Sequence, residues 1–567
     1  MKTVFIFPPV WSKKAPSSGI TSISGYLKEN GYQTKIFDLN NEFYFENLTD
    51  EKYNQAYNFV QTILSKKDLT ETEIEIIKYY KENKKIINFM KNKINYSVHT
   101  MQSENFYNKK KFKIAAFIIG HAIEFISLQH FPFIIIDEKI ENRKKEYNYE
   151  DYKTEATNPK NMFFCFMDEK ASKIVNENPQ YIGISINFEG QMLAGLTLAY
   201  ILKKKYNKQV ILGGTHITRS IENIKNDSSL FDNFADFVII NNGEIPFLKL
   251  LQQAEKKCKL EDIPNLIYKV GNEIKINKLS YEKPDIEFPQ DFDHTIKNKY
   301  FLPETVFPLS ISQGCYWGQC KFCDFRMVQY TQRNIEAVIN EIKILKEKYN
   351  AKFFFLTDSA LSPQIAKLFA KRLIEEKINI KWATFLRFEE AFDKKLLFYL
   401  YKSGLRLVAW GLESASQKIL NTMNKGININ TAKRILKDAY NIGIINRISV
   451  LYLFPSETYS DFCETINFLE KNKKYIFHIS FHRYILKKYS YIFEHMDEFN
   501  IHLTTDATKF EYHIYELGLQ YNEEDYINRI NQIKRNRHIS YITSEETLLY
   551  ASYKQNFFSN ILRKITY

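Results

Sequence analysis

Three cysteines lie within nine residues of one another, and their spacing is the feature of this sequence that most directly indicates chemistry. They are Cys315, Cys320 and Cys323, in the segment Gly314-Cys-Tyr-Trp-Gly-Gln-Cys-Lys-Phe-Cys. Thiolates are the ligands of iron–sulfur clusters, and close spacing lets one loop wrap around one cluster. Three cysteines bind three irons of a [4Fe–4S] cubane and leave the fourth iron open to an exogenous ligand. The segment therefore predicts an iron–sulfur site.

Two other interpretations of these cysteines stay open, a structural zinc site and accidental clustering. Structural zinc normally takes four protein ligands. The sequence near the loop has no second Cys-x-x-Cys pair and no His-x-x-x-His pair, although a distant fourth ligand is not excluded. The remaining cysteines, Cys165, Cys258 and Cys463, stand alone, and we expect them to be buried small side chains.

The composition indicates a globular chain of more than one domain. The chain has 567 residues, of which 44% are hydrophobic and 15% aromatic, enough for sizeable cores. Its net charge of +13 would suit an acidic partner. We attribute the charge to lysine-rich solvated helix faces, because the sequence has no arginine-rich cluster and no RNA-binding signature. A nucleic-acid partner is therefore not expected.

The sequence also bears on the cellular compartment. It lacks the pattern of a secretory signal, and six cysteines without a disulfide framework fit an intracellular chain. Residues 114–136 are long and apolar enough to span a bilayer, but His121, Glu124 and Pro132 within them favour a buried helix followed by a strand. We expect a cytoplasmic protein without a membrane span.

The cysteine loop follows the first strand of an alternating series of strands and helices at 304–490. Six strands are predicted, at 307–312, 353–356, 381–386, 405–410, 447–454 and 476–481. Six such units predict a partial (β/α)6 barrel of the TIM type, whose chemistry collects at the carboxyl ends of the strands. A linker at 256–303 with weak strand signals precedes the barrel, and a mostly helical tail at 491–567 follows it.

A first α/β domain is predicted at 1–255, with a mostly helical insertion at 45–168. Its strands alternate with helices, which indicates a Rossmann-like, flavodoxin-like parallel sheet whose ligands lie beyond the carboxyl ends of the strands. Glycines and small polar residues fall at or after those ends. They are Ser18, Gly19, Ser185, Asn187, Gly213, Gly214, Thr215, Gly243 and Glu244. Ordinary turn chemistry is the alternative explanation for each of them.

Taken together, these segments resemble the radical S-adenosylmethionine (SAM) superfamily, and within it the members that carry a cobalamin-binding domain. The resemblance rests on three cysteines after the first barrel strand, with Phe322 just before the last. The usual spacing is three residues and then two, whereas this chain has four and then two, as in a subset of the cobalamin-binding type. Further matching segments are Trp410-Gly-Leu-Glu-Ser414, Met423-Asn-Lys-Gly426, Leu453-Phe-Pro-Ser-Glu-Thr458 and Pro289-Gln-Asp-Phe292.

The resemblance implies that SAM binds the open iron and is cleaved by an electron from the cluster, giving methionine and a 5′-deoxyadenosyl radical. The electron would come from a flavodoxin- or ferredoxin-type donor. Residues at strand ends are then the candidates for binding SAM. They are Phe322, Asp358, Ser359, Arg387, Glu413, Ser414 and Arg447. Surface ion pairs or ordinary turns are the alternative explanation for each.

The resemblance also implies cobalamin as a cofactor of the first domain, bound by the strand-end residues named above. The Asp-x-His-x-x-Gly segment, which gives cobalt a histidine in other cobalamin proteins, is absent. Many radical SAM members of this type lack it too. With cobalamin bound, the leading reaction is methylation of an unactivated carbon.

Three alternatives to this function remain. One is a radical SAM oxidation, cyclisation or rearrangement without cobalamin, and another is a zinc-stapled binding protein with no activity. The third, modification of tRNA, ranks low because the extra amino-terminal cysteines and the RNA-binding module of methylthiotransferases are missing. The substrate, a small molecule or a peptide, cannot be read from the sequence.

Overall fold

The computed structural model describes residues 1–136, 138–281, 284, 287–296, 300–505, 511–537 and 543–562, without the side chains of 326–327, 534–537 and 554–562. Parts of the predicted insertion, linker and tail therefore lie outside the described residues. The chain folds as two compact units, Met1–Thr305 and Val306–Tyr567.

The first unit is built on a mixed sheet of seven strands. The strands of this unit are β1 (Lys2–Phe7), β2 (Gln33–Asp38), β3 (Phe133–Ile136), β4 (Lys139–Asn142), β5 (Tyr181–Ser185), β6 (Val210–Gly213), β7 (Phe237–Ile239), β8 (Leu266–Val270) and β9 (Glu273–Ile276). The order in the sheet is β2-β1-β5-β6-β7-β8-β9, and β3 pairs with β4 as a separate hairpin. The first five strands of that order are parallel, as predicted, whereas β8 and β9 are antiparallel.

Helices cover this sheet and fill the insertion. They are α1 (Ser18–Glu29), α2 (Leu39–Asn47), α3 (Asp50–Leu64), α4 (Glu71–Met90), α5 (Ile94–Met101), α6 (Lys109–Ser127), α7 (Tyr149–Ala156), α8 (Phe164–Val175), α9 (Met192–Lys204), α10 (Thr215–Arg219), α11 (Ile221–Ile224), α12 (Ser228–Asn233) and α13 (Glu244–Ala254). Phe5 and Phe7, alternate residues of β1, lie on the same face of the sheet and share one buried core with Ile20 and Leu27 of α1 and Leu251 of α13. This alternation fixes α1 and α13 over one face of the sheet.

The segment 256–303 is more than the linker expected from the sequence. Its strands β8 and β9 extend the first sheet, because Leu266 and Ile267 are fully buried there. Farther along, the Asp291 carboxylate accepts a hydrogen bond from the Ser24 hydroxyl of α1 (2.6 Å), and the Asp291 backbone N–H donates to the carbonyl of Thr21 (2.9 Å). The proline-rich half of this segment is therefore packed against α1.

The apolar stretch of the insertion folds as predicted, a helix (α6) and then a strand (β3). Residues Lys109–His130 are long and apolar enough to cross a membrane by length and composition, and 56% of the apolar window is buried inside the protein. A core helix also meets this test.

The second unit contains a parallel sheet of six strands in sequential order, β10-β13-β14-β15-β16-β17. The strands of this unit are β10 (Val306–Leu309), β11 (Ser312–Gln313), β12 (Thr331–Gln332), β13 (Phe353–Leu356), β14 (Lys381–Leu386), β15 (Leu405–Glu413), β16 (Ile445–Tyr452), β17 (His478–Arg483), β18 (Leu486–Lys487) and β19 (Glu511–Tyr512). Among the described residues β10 and β17 do not pair, so this sheet is not a closed barrel.

A helix follows most of these strands, as parallel pairing requires. The helices are α14 (Ile335–Tyr349), α15 (Pro363–Glu375), α16 (Lys394–Lys402), α17 (Gln417–Thr422), α18 (Ile429–Ile442), α19 (Tyr459–Lys471), α20 (Tyr491–Glu494), α21 (Glu523–Arg537) and α22 (Ser544–Leu562). The described part of the tail also forms a two-stranded ladder, β18 with β19, in addition to helices. The α/β class predicted for both units is confirmed.

Candidate active site

The cysteine loop connects two very short strands beyond the carboxyl end of β10. The strands β11 and β12 pair through Ser312 and Gln332, which closes the base of the loop. Asp358, beyond the end of β13, fixes this base: its carboxylate accepts hydrogen bonds from the Ile311 N–H (3.2 Å), the Ser312 hydroxyl (2.6 Å) and the Ser312 N–H. Burial raises the pKa of Asp358. A residue predicted to contact SAM thus anchors the cysteine loop.

Arg387 lies one residue beyond β14 and is nearly buried beside the loop. Its guanidinium Nη1 is 3.9 Å from the Cys320 sulfur, and its Nη2 donates to the Lys425 carbonyl (2.6 Å). The guanidinium carbon lies 4.2 Å from the centre of the Trp317 ring, and Nε donates to Glu389 (3.1 Å). A guanidinium can stack on an indole and donate hydrogen bonds at the same time. Arg387 therefore connects the loop to the ends of β14 and α17.

Lys425 and Glu413 form an ion pair close to the same loop. The Lys425 Nζ is 2.8 Å from the Glu413 carboxylate, and the two side chains are only 9% and 12% exposed. The ammonium also lies 5.6 Å from the centre of the Phe322 ring. Burial by itself would lower the pKa of Lys425, but the charge of Glu413 and its hydrogen bond to the ammonium outweigh burial and the pKa is raised. Lys425 stays a cation.

The protonation of the cysteines follows from these surroundings. Burial raises the pKa of Cys323 to about 11, and it also raises the pKa of Cys320 although Lys425 and Arg387 act in the opposite direction. Without metal these thiols keep their protons, and iron must displace them on binding. Two buried cations offset part of the negative charge of a thiolate-bound cluster. The cysteines, partly buried on one loop beside these cations, fit a [4Fe–4S] cluster.

The single-ion alternative receives no support from the geometry. Within the described residues, no group of three or more His, Cys, Asp or Glu side chains is close enough to hold one metal ion. A zinc site needs four donors around one ion, whereas the cysteines of a cubane bind different irons.

The other predicted SAM ligands occupy different positions. Ser359 follows Asp358 at the end of β13 and is partly buried, whereas Ser414 is buried and shares a hydrogen bond with the Thr465 hydroxyl (3.1 Å). Arg447 lies in the first half of β16, and its Nη1 donates to Thr547 of α22 (3.2 Å).

Sequence reasoning gave no role to several residues that hold the loop. Lys425 stands inside the segment Met423-Asn-Lys-Gly426, which was noted only for its resemblance. Trp317 donates its indole N–H to the Asn424 carbonyl (3.0 Å), and the Tyr316 hydroxyl donates to Glu389. The sequence did hold a signal for the ion pair: Glu413 and Lys425 lie in two matching segments that follow one another along the chain.

The three lone cysteines are not buried as expected. Cys165 is exposed, and Cys258 and Cys463 are partly buried. Cys165 and Cys463 lie on surface helices, α8 and α19, where one face meets solvent whatever the residue type.

In the first unit, the predicted strand-end residues lie along the carboxyl edge of the parallel strands. The Asn187 side-chain oxygen accepts a hydrogen bond from the Thr215 N–H (3.1 Å), which joins the loops after β5 and β6. Gly214 has φ of +105°, and a methyl group there would lie 2.4 Å from the Ile186 carbonyl oxygen, so only glycine fits. The Ser22 hydroxyl donates to Glu244 (2.6 Å), which joins α1 to α13.

The remaining members of this set have simpler positions. Ser18 and Gly19 begin α1, Ser185 ends β5, Gly213 ends β6 and Gly243 precedes α13. The structure thus brings the loop after β5 into contact with the loop after β6. A second contact joins the amino-terminal turns of α1 and α13.

Comparison with known proteins identifies the class. Residues 309–469 match the radical SAM superfamily, and this range contains the cysteines, Arg387, Glu413 and Lys425. Residues 309–469 thus form a radical SAM enzyme domain. Such a domain implies a [4Fe–4S] cluster and SAM as cofactors.

Similar proteins support the class and the fold. An uncharacterized methyltransferase of Pyrococcus horikoshii is 28% identical over 312 residues, which are 53% of this chain and 66% of that protein. The cobalamin-dependent SAM radical enzyme OxsB, with aqua-cobalamin bound, has a TM-score of 0.53 and 16% identity, covering 70% of this chain and 69% of that chain. The radical SAM methyltransferase TsrM of Kitasatospora setae, with cobalamin and a [4Fe–4S] cluster bound, has a TM-score of 0.51 and 11% identity, covering 88% and 74%. The two structures share the fold.

Proposed function

We propose that Cys315, Cys320 and Cys323 bind a [4Fe–4S] cluster at which SAM is reductively cleaved. The observation that carries this proposal is the placement of three thiols on one loop at the carboxyl edge of a parallel sheet, beside the buried cations Arg387 and Lys425. When bound, the cluster supplies the electron that cleaves the sulfonium of SAM to methionine and a 5′-deoxyadenosyl radical. A flavodoxin- or ferredoxin-type donor would reduce the protein.

The roles of the surrounding residues follow from their contacts. Asp358 holds the base of the loop, and Arg387 orients the segment around Cys320. Lys425, whose ammonium lies 5.6 Å from the centre of the Phe322 ring, holds the Glu413 carboxylate in place. The candidates for direct SAM contacts remain the seven residues predicted from the sequence: Phe322, Asp358, Ser359, Arg387, Glu413, Ser414 and Arg447. The six-stranded parallel sheet, as a partial (β/α)6 barrel, would position them along one edge.

We also infer that the first unit binds cobalamin at the carboxyl edge of its parallel strands. Residues suited to hold it are Ser18, Gly19, Ser185, Asn187, Gly213, Gly214, Thr215, Gly243 and Glu244. The support is their small polar character at one sheet edge and the fold shared with OxsB and TsrM, whose structures contain cobalamin. Bound cobalamin supplies a methyl group, so the proposed reaction is methylation of an unactivated carbon.

Anaerobic reconstitution of the full chain tests the cluster. We expect about four irons and four sulfides per chain, a cubane signal in Mössbauer spectra, and 5′-deoxyadenosine from SAM with dithionite. Cys320→Ala should lose the cubane signal and all 5′-deoxyadenosine formation. Cys463→Ala, a partly buried cysteine of α19, is the matched control and should retain both.

Two results would contradict the proposal. One is 5′-deoxyadenosine from a folded Cys320→Ala protein, and the other is stoichiometric zinc in place of iron in the wild type. Methylated product with retained cobalamin supports methyl transfer, and turnover of a substrate without cobalamin supports oxidation, cyclisation or rearrangement.

A further inference from the structure

A cavity of about 490 Å³, widely open to solvent, lies within the second unit, where β17 ends and the tail crosses that end. Its volume falls within the range of about 300–1,000 Å³ that small-molecule sites occupy. The lining includes Arg483, Ile514, Tyr515, Gln520, Tyr521 and Glu523. One of these residues ends a barrel strand, and the others belong to the tail.

The tail is fixed to the carboxyl edge of β16 and β17. The Tyr521 hydroxyl donates to the Phe454 carbonyl, just beyond β16 (3.1 Å), and the Tyr526 ring lies 4.5 Å from the Phe462 ring of α19. Glu523, at the start of α21, pairs with Arg483 at the end of β17 (2.9 Å). The cavity therefore lies at the edge where parallel α/β sheets bind their ligands.

The tail also contacts the cysteine loop. The Ile492 N–H donates to the Lys321 carbonyl (3.1 Å), and the Lys321 ammonium lies 4.8 Å from the centre of the Tyr491 ring. Lys487 of β18 is 3.8 Å from the Asp324 carboxylate, one residue after Cys323. Residues 487–492 thus contact the cluster loop, and residues 514–523, farther along the chain, line the cavity.

The side chains of the cavity indicate what it would bind. The Arg483 side chain is 25% exposed and pairs with Glu523 through Nη2 alone, so one carboxylate does not saturate the five N–H donors of its guanidinium, although the unpartnered Nε is itself buried. Tyr515 is 56% exposed, its ring is stacked on that of His513 (ring centres 5.7 Å apart), and its ring centre is 5.7 Å from the Arg483 guanidinium carbon, so only the exposed part of the ring can meet a ligand. Arginine binds carboxylates through paired donors, and an exposed tyrosine ring stacks on flat groups.

We propose that this cavity binds the substrate, and that the substrate carries a carboxylate beside a planar ring. The inference rests on the proposed function, because it takes the carboxyl edge of this sheet as the reaction site. Arg483 binds the carboxylate and Tyr515 stacks on the ring.

A binding experiment on the reconstituted full chain tests the proposal without requiring turnover. The probes are 2-naphthoate and its neutral counterpart 2-naphthamide, titrated by calorimetry. We expect the wild type to bind the acid about tenfold more tightly than the amide, since a charge-assisted hydrogen bond contributes about 1.4 kcal/mol or more. Arg483→Gln should abolish this preference, and Tyr515→Leu should weaken both probes.

Further variants guard against misfolding. Arg483→Gln leaves Glu523 unpaired, so the double variant with Glu523→Gln, which removes both charges, is measured as well and should also lack the preference. Arg529→Gln on α21, whose Nη1 donates to Gln532 (2.8 Å), is the matched control and should bind like the wild type.

The outcomes separate the two proposals. Equal affinity for acid and amide, no binding of either probe, or a preference that survives in the double variant would overturn the cavity proposal, even if SAM is cleaved. A preference that depends on Arg483 supports it, and a chain that shows this preference but forms no cluster contradicts only the proposed function.

Discussion

The two units place their candidate cofactor sites at equivalent edges but build them differently. In the second unit, buried charges carry the site: Arg387 contacts Cys320, and Lys425 pairs with Glu413. In the first unit, backbone shape and single hydrogen bonds carry it, as at Gly214 and Asn187. Substitutions should therefore act through electrostatics in the second unit and through steric fit in the first.

The largest expected effect is that of Lys425→Met. The substitution leaves the Glu413 carboxylate buried without its partner, and breaking one side of a buried pair costs about 3–5 kcal/mol. We expect the free energy of unfolding in urea to fall by that amount. The double variant Glu413→Gln with Lys425→Met should recover much of the loss, because it removes the unpaired charge.

Lys418→Met is the control for this prediction. Lys418 also pairs with an acid, Asp461 at 2.9 Å, but its side chain is 61% exposed. Asp461 is buried, but it keeps its hydrogen bonds from Ser416 and Thr458 when Lys418 is removed, and a pair with an exposed lysine contributes about 0–1 kcal/mol. Equal losses of unfolding free energy for Lys418→Met and Lys425→Met would contradict the claim that buried charges carry the site in the second unit.

A buried carboxyl group of the second unit should make its stability depend on pH. Glu457, beyond the end of β16, is 3% exposed, and burial raises its pKa to about 8. The unfolded chain releases this proton near pH 4.3, whereas the folded chain keeps it to about pH 8. The contribution of Glu457 to stability is therefore full below about pH 4 and is lost as the pH rises to 8.

Glu457→Gln measures this contribution. The glutamine stays neutral, so only the wild type loses stability as the pH rises. The free energy of unfolding of the variant minus that of the wild type should therefore increase by about 2–3 kcal/mol between pH 5.5 and pH 8. A difference between the two proteins that is constant over this range would contradict the assignment. Urea unfolding at several pH values provides the measurement.

In the first unit the largest effect should be steric. Gly25 of α1 lies so close to the segment after β9 that a methyl group would be 2.1 Å from the Pro289 carbonyl oxygen. Gly25→Ala should cost about 1–3 kcal/mol as the segment is displaced. Gly19→Ala in the same helix meets nothing within 4 Å and should stabilise the protein by about 0.5–1 kcal/mol. If both variants were more stable than the wild type, the close contact between Gly25 and Pro289 would not constrain the first unit.

The comparison also explains what the sequence could predict. The cysteines, the six parallel strands and the buried helix α6 were predictable, because ligand type, apolar runs and periodicity are local signals. The position of Asp358 at a strand end was predictable, but its hydrogen bonds to Ile311 and Ser312, residues far away in sequence, were not. Such partners depend on strand order, which no local pattern encodes.

The segment 256–303 shows a second limit. Its strand signals were weak because β9 is an edge strand with exposed residues, and its pairing with β8 is decided by the sheet already present. The role of Pro289-Gln-Asp-Phe292 required knowing that Thr21 and Ser24 face it from α1. Tertiary context, and not propensity, assigned this segment to the first unit.

The smallest expected effect on stability is that of Asn187→Ala. This variant tests whether the carboxyl edge of the first sheet is a cofactor site. The substitution removes one hydrogen bond, to the exposed Thr215 N–H, which water can replace, so the free energy of unfolding should fall by only about 0.5–1 kcal/mol. Asn30→Ala is the matched control, because Asn30 also makes one side-chain hydrogen bond, to the Tyr26 carbonyl (2.8 Å), but at the carboxyl end of α1, where the chain turns back toward the amino end of β2. Both variants should unfold alike in urea. After gel filtration with hydroxocobalamin, however, only Asn187→Ala should retain less cobalamin than the wild type, by its visible absorbance. Equal retention by the two variants would mean that the edge of the sheet joined by Asn187 and Thr215 is a structural turn and not a cofactor site.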